Sequence, residues 1–315
     1  MARAIVTGGA GFLGSHLCDA LLAGGTSVLC LDNVSTGSLA NIRHLRDHPG
    51  FEIRRLDVAQ PWPANLGSAD IVYHLACPAS PRHYQADPVG TIRTAVIGTE
   101  RALEFTQRHD AALLLASTSE VYGDPEQHPQ SEDYLGRSNP TTVRACYSEG
   151  KRAAEAMAFS QQRAGTRVAV ARVFNSYGPR MGPDDGRVVS TLIVQALRGD
   201  LMTIDGDGSQ TRSFCFVDDT IAALVGLSGL NPTPSGPVNI GNPDEVTVLE
   251  LARQVLALTG STSVLTHRAR AADDPRRRCP DIDRVTTLLG WQPAIGLADG
   301  LGRTIAYLRD HLGTR

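Results

Sequence analysis

Hydrophobic positions along the chain fall into two patterns. Residues 3–7, 27–31, 69–76, 112–116 and 167–174 are short, nearly unbroken apolar runs, and 51–56, ending in Asp57-Val58, continues the alternation as a more polar strand. Such runs are too short for helices and apolar on both faces, which predicts strands of a parallel sheet covered on each side. Between them, residues 15–22, about 89–108 and about 144–161 repeat apolar residues at helical spacing. The alternation predicts an α/β fold, a Rossmann-type doubly wound parallel sheet, with ligands gathered at the carboxyl ends of its strands.

Past residue 174 the pattern shifts to short elements rich in glycine, aspartate and arginine. We therefore expect residues 1–173 to form a dinucleotide-binding domain and 174–315 to form mainly a smaller C-terminal substrate lobe. Strands near 212–217 and 238–241 are expected to rejoin the sheet. No repeat, low-complexity tract or flexible linker interrupts the chain.

Chemistry enters first at the turn after the opening strand, Gly8-Gly9-Ala10-Gly11-Phe12-Leu13-Gly14. Glycines there allow a tight turn, close approach of backbone to a pyrophosphate, and packing of the following helix on its strand. The second strand ends in Asp32, placed to accept adenosine ribose hydroxyls and to repel a 2′-phosphate, so NAD is expected rather than NADP.

The second motif is Tyr147-Ser148-Glu149-Gly150-Lys151. Residues four apart on a helix share a face, so phenol and ammonium can meet at one reacting atom. Lys151 is the only lysine; the other twenty-nine cations among the thirty are arginines. An ammonium can bind a ribose and favour a neighbouring phenolate, which a planar guanidinium does less well. Ser117-Thr118-Ser119-Glu120 is expected just beyond a strand end, where crowded polar groups need a polar ligand or one another. Arginines in the later turns, such as Arg180, Arg187 and Arg212, suit loops that grip phosphates.

Composition narrows the partners. A formal net charge of −3 shows no basic excess to suggest nucleic acid. The six cysteines are scattered, without metal-site or disulfide-framework spacing, so no metal is expected. Neither a leader nor a membrane-length apolar run is evident, and a reducing cytoplasm is the expected location.

Together these residues resemble the extended short-chain dehydrogenase/reductase superfamily that acts on nucleotide sugars, and within it the UDP-glucuronate decarboxylase (UDP-xylose synthase) branch. The likeness spans residues 4–311. Its more specific marks are His74-Leu75-Ala76 with Pro78-Ala79-Ser80-Pro81, His83-Tyr84-Gln85, Thr118-Ser119-Glu120-Val121-Tyr122-Gly123, Arg144-Ala145-Cys146-Tyr147, Asp185-Gly186-Arg187 and Pro280-Asp281-Ile282. Related 4,6-dehydratases carry an aspartic acid at the place of Ser119, and serine is no strong general acid, which disfavours dehydration. Glu120 argues against simple 4-epimerisation.

The resemblance implies a mechanism. Tyr147 would take the proton of the sugar 4-hydroxyl as hydride passes to NAD, with Lys151 on the nicotinamide ribose and Thr118 on the sugar oxygen. The 4-keto sugar would lose carbon dioxide, and hydride would return to C4. Arg278 would contact the substrate carboxylate, while Glu120 and Ser119 position the sugar and assist protonation at C5. Cofactor contacts are expected from Gly8, Gly11, Phe12, Leu13, Gly14, Asp32, Asn33, Ser35, Thr36, Gly37, Asp57, Val58, Leu75, Ala76, Thr94, Ala116, Tyr147 and Lys151. Substrate contacts are expected from Tyr84, Asn175, Arg180, Arg187, Gln210, Arg212 and Arg278.

A homodimer through the helices at 89–108 and 144–161 is also implied. One position departs from the resemblance: Asp205 stands where an aromatic precedes the Gly-x-Gly turn, which leaves a thymidine-linked sugar open beside a uridine-linked one. Another nucleotide-sugar 4-epimerase or dehydratase, or a non-catalytic NAD-sensing protein on the same fold, are the competing readings. A 4-keto or pentose product would separate them.

Overall fold

The Gly8–Gly14 turn joins the first strand to the first helix and sets the layout of everything after it. In the computed structural model, which describes residues 2–269 and 275–313, β1 (Arg3–Thr7) enters α1 (Phe12–Ala23) through that turn. There follow β2 (Ser27–Asp32), β3 (Phe51–Arg55), β4 (Ile71–His74), α2 (Pro81–Ala86), α3 (Pro88–His109), β5 (Ala112–Thr118), α4 (Ala145–Arg163) and β6 (Val168–Val173). The second half contributes β7 (Ser176–Tyr177), α5 (Val188–Arg198), β8 (Met202–Asp205), β9 (Thr211–Ser213), β10 (Cys215–Phe216), α6 (Val217–Ser228) and β11 (Val238–Ile240). It ends with β12 (Glu245–Thr247), α7 (Val248–Thr259), β13 (Leu265–Arg268), α8 (Asp283–Leu289) and α9 (Leu297–Leu312).

Seven strands form one sheet in the order β3-β2-β1-β4-β5-β6-β11, and every neighbouring pair is parallel. Strand order reverses between β1 and β4, which opens a crevice at their carboxyl ends. Pleating divides the core. Ile5, Leu29, Leu31, Val72, Leu113, Leu115, Val168 and Val170 face Ala102 and Phe105 of α3 and Ala154 and Ala158 of α4. Ala4, Val6, Val28, Cys30, Leu114 and Ala171 face the other way, onto Leu17 and Leu21 of α1 and Leu224 of α6. Burial on both faces is why these strands read as continuous apolar runs.

Local signals explain the helix that carries most of one layer. Asp87 accepts a hydrogen bond from the Gly90 amide at 2.9 Å, Pro88 occupies the first turn, and Asp110 closes α3 in the left-handed region at φ 52°.

Two stretches differ from expectation. β5 runs two residues further than the apolar pattern, carrying Ser117 and Thr118 into register with Arg172 and Val173. Its polar end is tolerated because the Ser117 hydroxyl donates to Glu155 Oε1 at 2.5 Å. The 212–217 stretch does not rejoin the sheet, because the outer edge of β6 is taken by β11. It breaks at buried Phe214 into β9, antiparallel to β12, and β10, parallel to β7.

Candidate active site

A cavity of about 1090 Å³ lies over the carboxyl ends of β1, β2, β4 and β5 and continues to residues of β8 and β9. At its first end the backbone leaves no room for side chains. Gly8 sits at φ 72°, where an added Cβ would stand 2.9 Å from the Ala76 backbone. Gly11 caps α1 without a side-chain partner, so the first amides of that helix stay open to an anion. Asp32 is buried and accepts from the Ala10 amide at 2.9 Å and the Val34 amide at 2.7 Å. It therefore shapes the glycine turn as well as facing the cavity. An anion-ready helix start beside a buried carboxylate fits a dinucleotide with free ribose hydroxyls.

All but one of the expected cofactor positions line this cavity. The exception is Asp57, whose carboxylate is turned onto the Ala59 amide at 3.0 Å, capping the turn after β3. Its neighbour Val58 does reach the lining.

The reacting centre lies in the middle. α4 presents Tyr147 and Lys151, both buried, toward the end of β5. Lys151 Nζ donates to the Ala116 carbonyl at 2.7 Å, which fixes the ammonium beneath the cavity floor. Burial lowers its pKa, while Cys77 and Glu155 act in the opposite sense. The Tyr147 phenol is pushed up, first by burial and then by Cys77 and Glu120; a hydrogen bond with Thr118 and the charge of Arg187 pull it back. Thr118 also accepts from the Glu120 amide at 3.2 Å, holding the tight turn of residues 119–122 against the strand end.

Glu120 is pinned by two cations. Arg144 Nη1 lies 3.2 Å and Arg278 Nη1 3.4 Å from the same oxygen, Glu120 Oε1. Arg278 is buried, so its charge is held out of bulk water beside a carboxylate and the cavity.

Behind this centre runs a buried polar chain. Glu155, one turn beyond Lys151, accepts from Ser117 and from Arg172, whose Nε is 3.0 Å from Oε1 and Nη2 2.7 Å from Oε2. Arg172 Nη1 donates to the Tyr122 hydroxyl at 3.0 Å, and Tyr122 donates to Asn239 Oδ1 at 2.7 Å. The Asn239 amide donates to Glu132 Oε1 at 2.9 Å. Ser117 and Tyr122, which bracket Thr118, Ser119 and Glu120, are thus both tied to the Arg172–Glu155 pair.

On the other side, Asn175, Arg187, Gln210 and Arg212 line the cavity as expected. Arg180 lines it too, at φ 66°, but its Nη2 is engaged by Asp19 of α1 at 2.7 Å. Tyr84 does not reach the lining. It is fully buried, with its ring stacked on Tyr147.

The sequence profile of the NAD dependent epimerase/dehydratase family matches residues 4–241. This chain belongs to that family. Members similar to it include UDP-glucuronic acid decarboxylase 1 of Xenopus tropicalis, 48% identical over 98% of this chain and 73% of that protein. UDP-glucuronic acid decarboxylase 3 of Arabidopsis thaliana is 49% identical over 95% of this chain and 86% of its own length. A solved UDP-glucuronic acid 4-epimerase from Bacillus cereus, in complex with UDP-glucuronic acid and NAD, superposes with a TM-score of 0.89 at 28% identity. That match covers 98% of this chain and 99% of the epimerase.

In this epimerase/dehydratase chain, three positions without a foreseen role line the cavity or support it. Arg144 stood in a recognised motif, and its place ahead of α4 was the available signal. Glu155 could have been found four residues past Lys151 on the same helix face. Arg268, which lines the far end of the cavity with Asp205, carried no signal.

Proposed function

We propose that this NAD-dependent enzyme decarboxylates UDP-glucuronate to UDP-xylose through a UDP-4-keto sugar. The observation that carries this reading is Glu120 held between Arg144 and Arg278 beside Tyr147 and Thr118, in one cavity with the dinucleotide-binding turn. A decarboxylase needs a cation to orient the substrate carboxylate and an acid near C5, and this arrangement supplies both.

NAD, when bound, supplies the acceptor and donor of hydride at C4. Tyr147 takes the proton of the 4-hydroxyl as that carbon is oxidised, and Thr118 holds the same oxygen. The product is a β-keto acid. Arg278 orients its carboxylate until the C5–C6 bond breaks and the electron pair enters the enolate, whose oxygen stays on Tyr147 and Thr118. Glu120, with Ser119 alongside, delivers or relays the proton to C5. Tyr147 then returns its proton to O4. Asn175, Arg187, Gln210 and Arg212 hold the diphosphate and nucleoside end, with Arg180 at the border of the two sites.

On this reading residues 1–173 form the cofactor domain, rejoined by β11, and 174–315 form mainly the nucleotide-sugar lobe. We further propose a cytoplasmic homodimer. Its support is that α3, which packs along α4, leaves Val89 and Ile92 exposed, as a four-helix contact between two copies requires.

The test is incubation of the purified protein with UDP-glucuronate, with and without added NAD+, following carbon dioxide and sugar-nucleotide mass. Carbon dioxide and a UDP-pentose, without net NADH, are expected. Recovery of a nucleotide sugar of unchanged mass would overturn the proposal.

A further inference from the structure

Arg268 lies opposite Asp205 in the parallel ladder of β13 on β8, and both side chains line the same cavity as Tyr147. The guanidinium is gripped edge-on: Nε donates to Asp205 Oδ1 and Nη2 lies 3.3 Å from Oδ2. Hydrogen bonds to the backbone carbonyls of both residues fix the pair. The Gly206 amide donates to the Arg268 carbonyl at 2.8 Å, and Gln210 Nε2 donates to the Asp205 carbonyl at 2.7 Å.

The Nε–Nη2 edge is taken by Asp205, which balances the charge and fixes the plane of the guanidinium. Its flat face and its Nη1 end stay available, and the side chain is 62% exposed, so the face is free to be covered. A guanidinium plane of this kind stacks on aromatic rings.

The layout of the cavity says which ring. The dinucleotide end is fixed by Gly8–Gly14 and Asp32, and the reacting sugar by Tyr147. A diphosphate on Arg187 and Arg212 therefore carries its nucleoside away from the cofactor. Arg212 follows Asp205 across one tight turn, so the nucleoside meets β8 and β13 next.

We infer that the Arg268 guanidinium, held flat by Asp205, is the surface on which the nucleobase of the sugar nucleotide stacks. This rests on the nucleotide-sugar reading of the cavity. The pair does by a charged plane what a side-chain ring would otherwise do, and it makes Arg268 a base-binding residue that neither the reaction nor the cofactor requires.

The test uses the full-length, NAD-loaded protein and measures binding of UDP and of inorganic pyrophosphate by calorimetry, alongside kcat for UDP-glucuronate. Arg268→Ala should weaken UDP roughly tenfold, leave pyrophosphate unchanged and leave kcat at saturation near the parent value. Arg268→Tyr should restore UDP affinity and Arg268→Lys should not, because an ammonium has no flat face. Unchanged UDP binding in Arg268→Ala, equal loss of UDP and pyrophosphate, or full rescue by lysine would each overturn the inference. Arg212→Ala separates this from the wider reading. If it weakens UDP while Arg268→Ala does not, only the stacking role fails; if neither does, the nucleotide-sugar site itself is wrong.

Discussion

The ring of Tyr84 lies flat against the ring of Tyr147, with centroids 5.3 Å apart and planes within 4° of parallel. The contact is a positioning one. Tyr84 is fully buried and its hydroxyl has no hydrogen-bond partner among the described residues, so the ring, not the oxygen, acts on the site.

Leaving a buried hydroxyl unpaired costs about 1–3 kcal/mol. Tyr84→Phe should therefore raise the melting temperature by about 2 °C or more and leave KM for UDP-glucuronate unchanged. Tyr84→Ala opens a cavity beside the phenol and should lower both stability and kcat. Thermal denaturation and steady-state rates decide it: a raised KM in Tyr84→Phe would mean that the hydroxyl touches substrate.

Tyr147 must lose its proton to act as base, yet burial holds its pKa up, with Thr118 and Arg187 as the opposing influences. Removing a group that stabilises the phenolate raises the phenol's pKa further. Thr118→Val should thus move the rising limb of the kcat/KM pH profile to more alkaline pH, and Arg187→Gln should do the same less strongly. A limb that stays in place would assign it to another group.

Glu120 Oε1 is shared by Arg144 and Arg278. If it delivers the C5 proton, Glu120→Gln should lower turnover by roughly a hundredfold or more while UDP and NAD affinities change little. Undiminished decarboxylation would remove Glu120 from the chemistry.

The fold was legible because β1, β2, β4, β5 and β6 are largely buried on both faces, so each announces itself as a nearly continuous apolar run, while the edge strand β3 is half polar. The glycine turn, Asp32, Tyr147 and Lys151 were legible because local backbone needs and helix spacing fix them. What escaped was set by contacts between distant segments. β9 and β10 look like one strand until their separate partners, β12 and β7, are known. Asp57 and Tyr84 sit in recognisable motifs, yet one caps a turn and the other packs under the site. Asp205 reads as a departure until Arg268, sixty-three positions later, is found beside it.

His74 tests how burial couples to pH. Its Nδ1 lies 2.9 Å from the Thr7 hydroxyl, and burial first, with Lys151 second, lowers its pKa from 6.5 to about 3. A depressed native pKa means that the unfolded chain binds the proton more readily. The associated stability is complete above pH 6.5 and is lost as pH falls through about 3. Urea midpoints should decline across that window, and His74→Asn should flatten the decline even if it is less stable at neutral pH. Equal slopes in both proteins would place the acid sensitivity elsewhere.

The Glu155–Arg172 pair offers the sharpest separation of stability from positioning. Both side chains are largely buried, and breaking a buried pair from one side strands a charge at a cost of about 3–5 kcal/mol. Glu155→Leu and Arg172→Met should each be strongly destabilising. The double variant, with no charge left to strand, should recover much of that loss in urea denaturation. Turnover should not recover with it. In the double variant Ser117 loses its carboxylate partner and Tyr122 keeps only Asn239, so the segment carrying Thr118, Ser119 and Glu120 is held less firmly at both ends. A stable double variant with a lowered kcat and unchanged NAD affinity is the expected result. A double variant with full activity would show that the strand end and tight turn hold the catalytic groups without the buried chain.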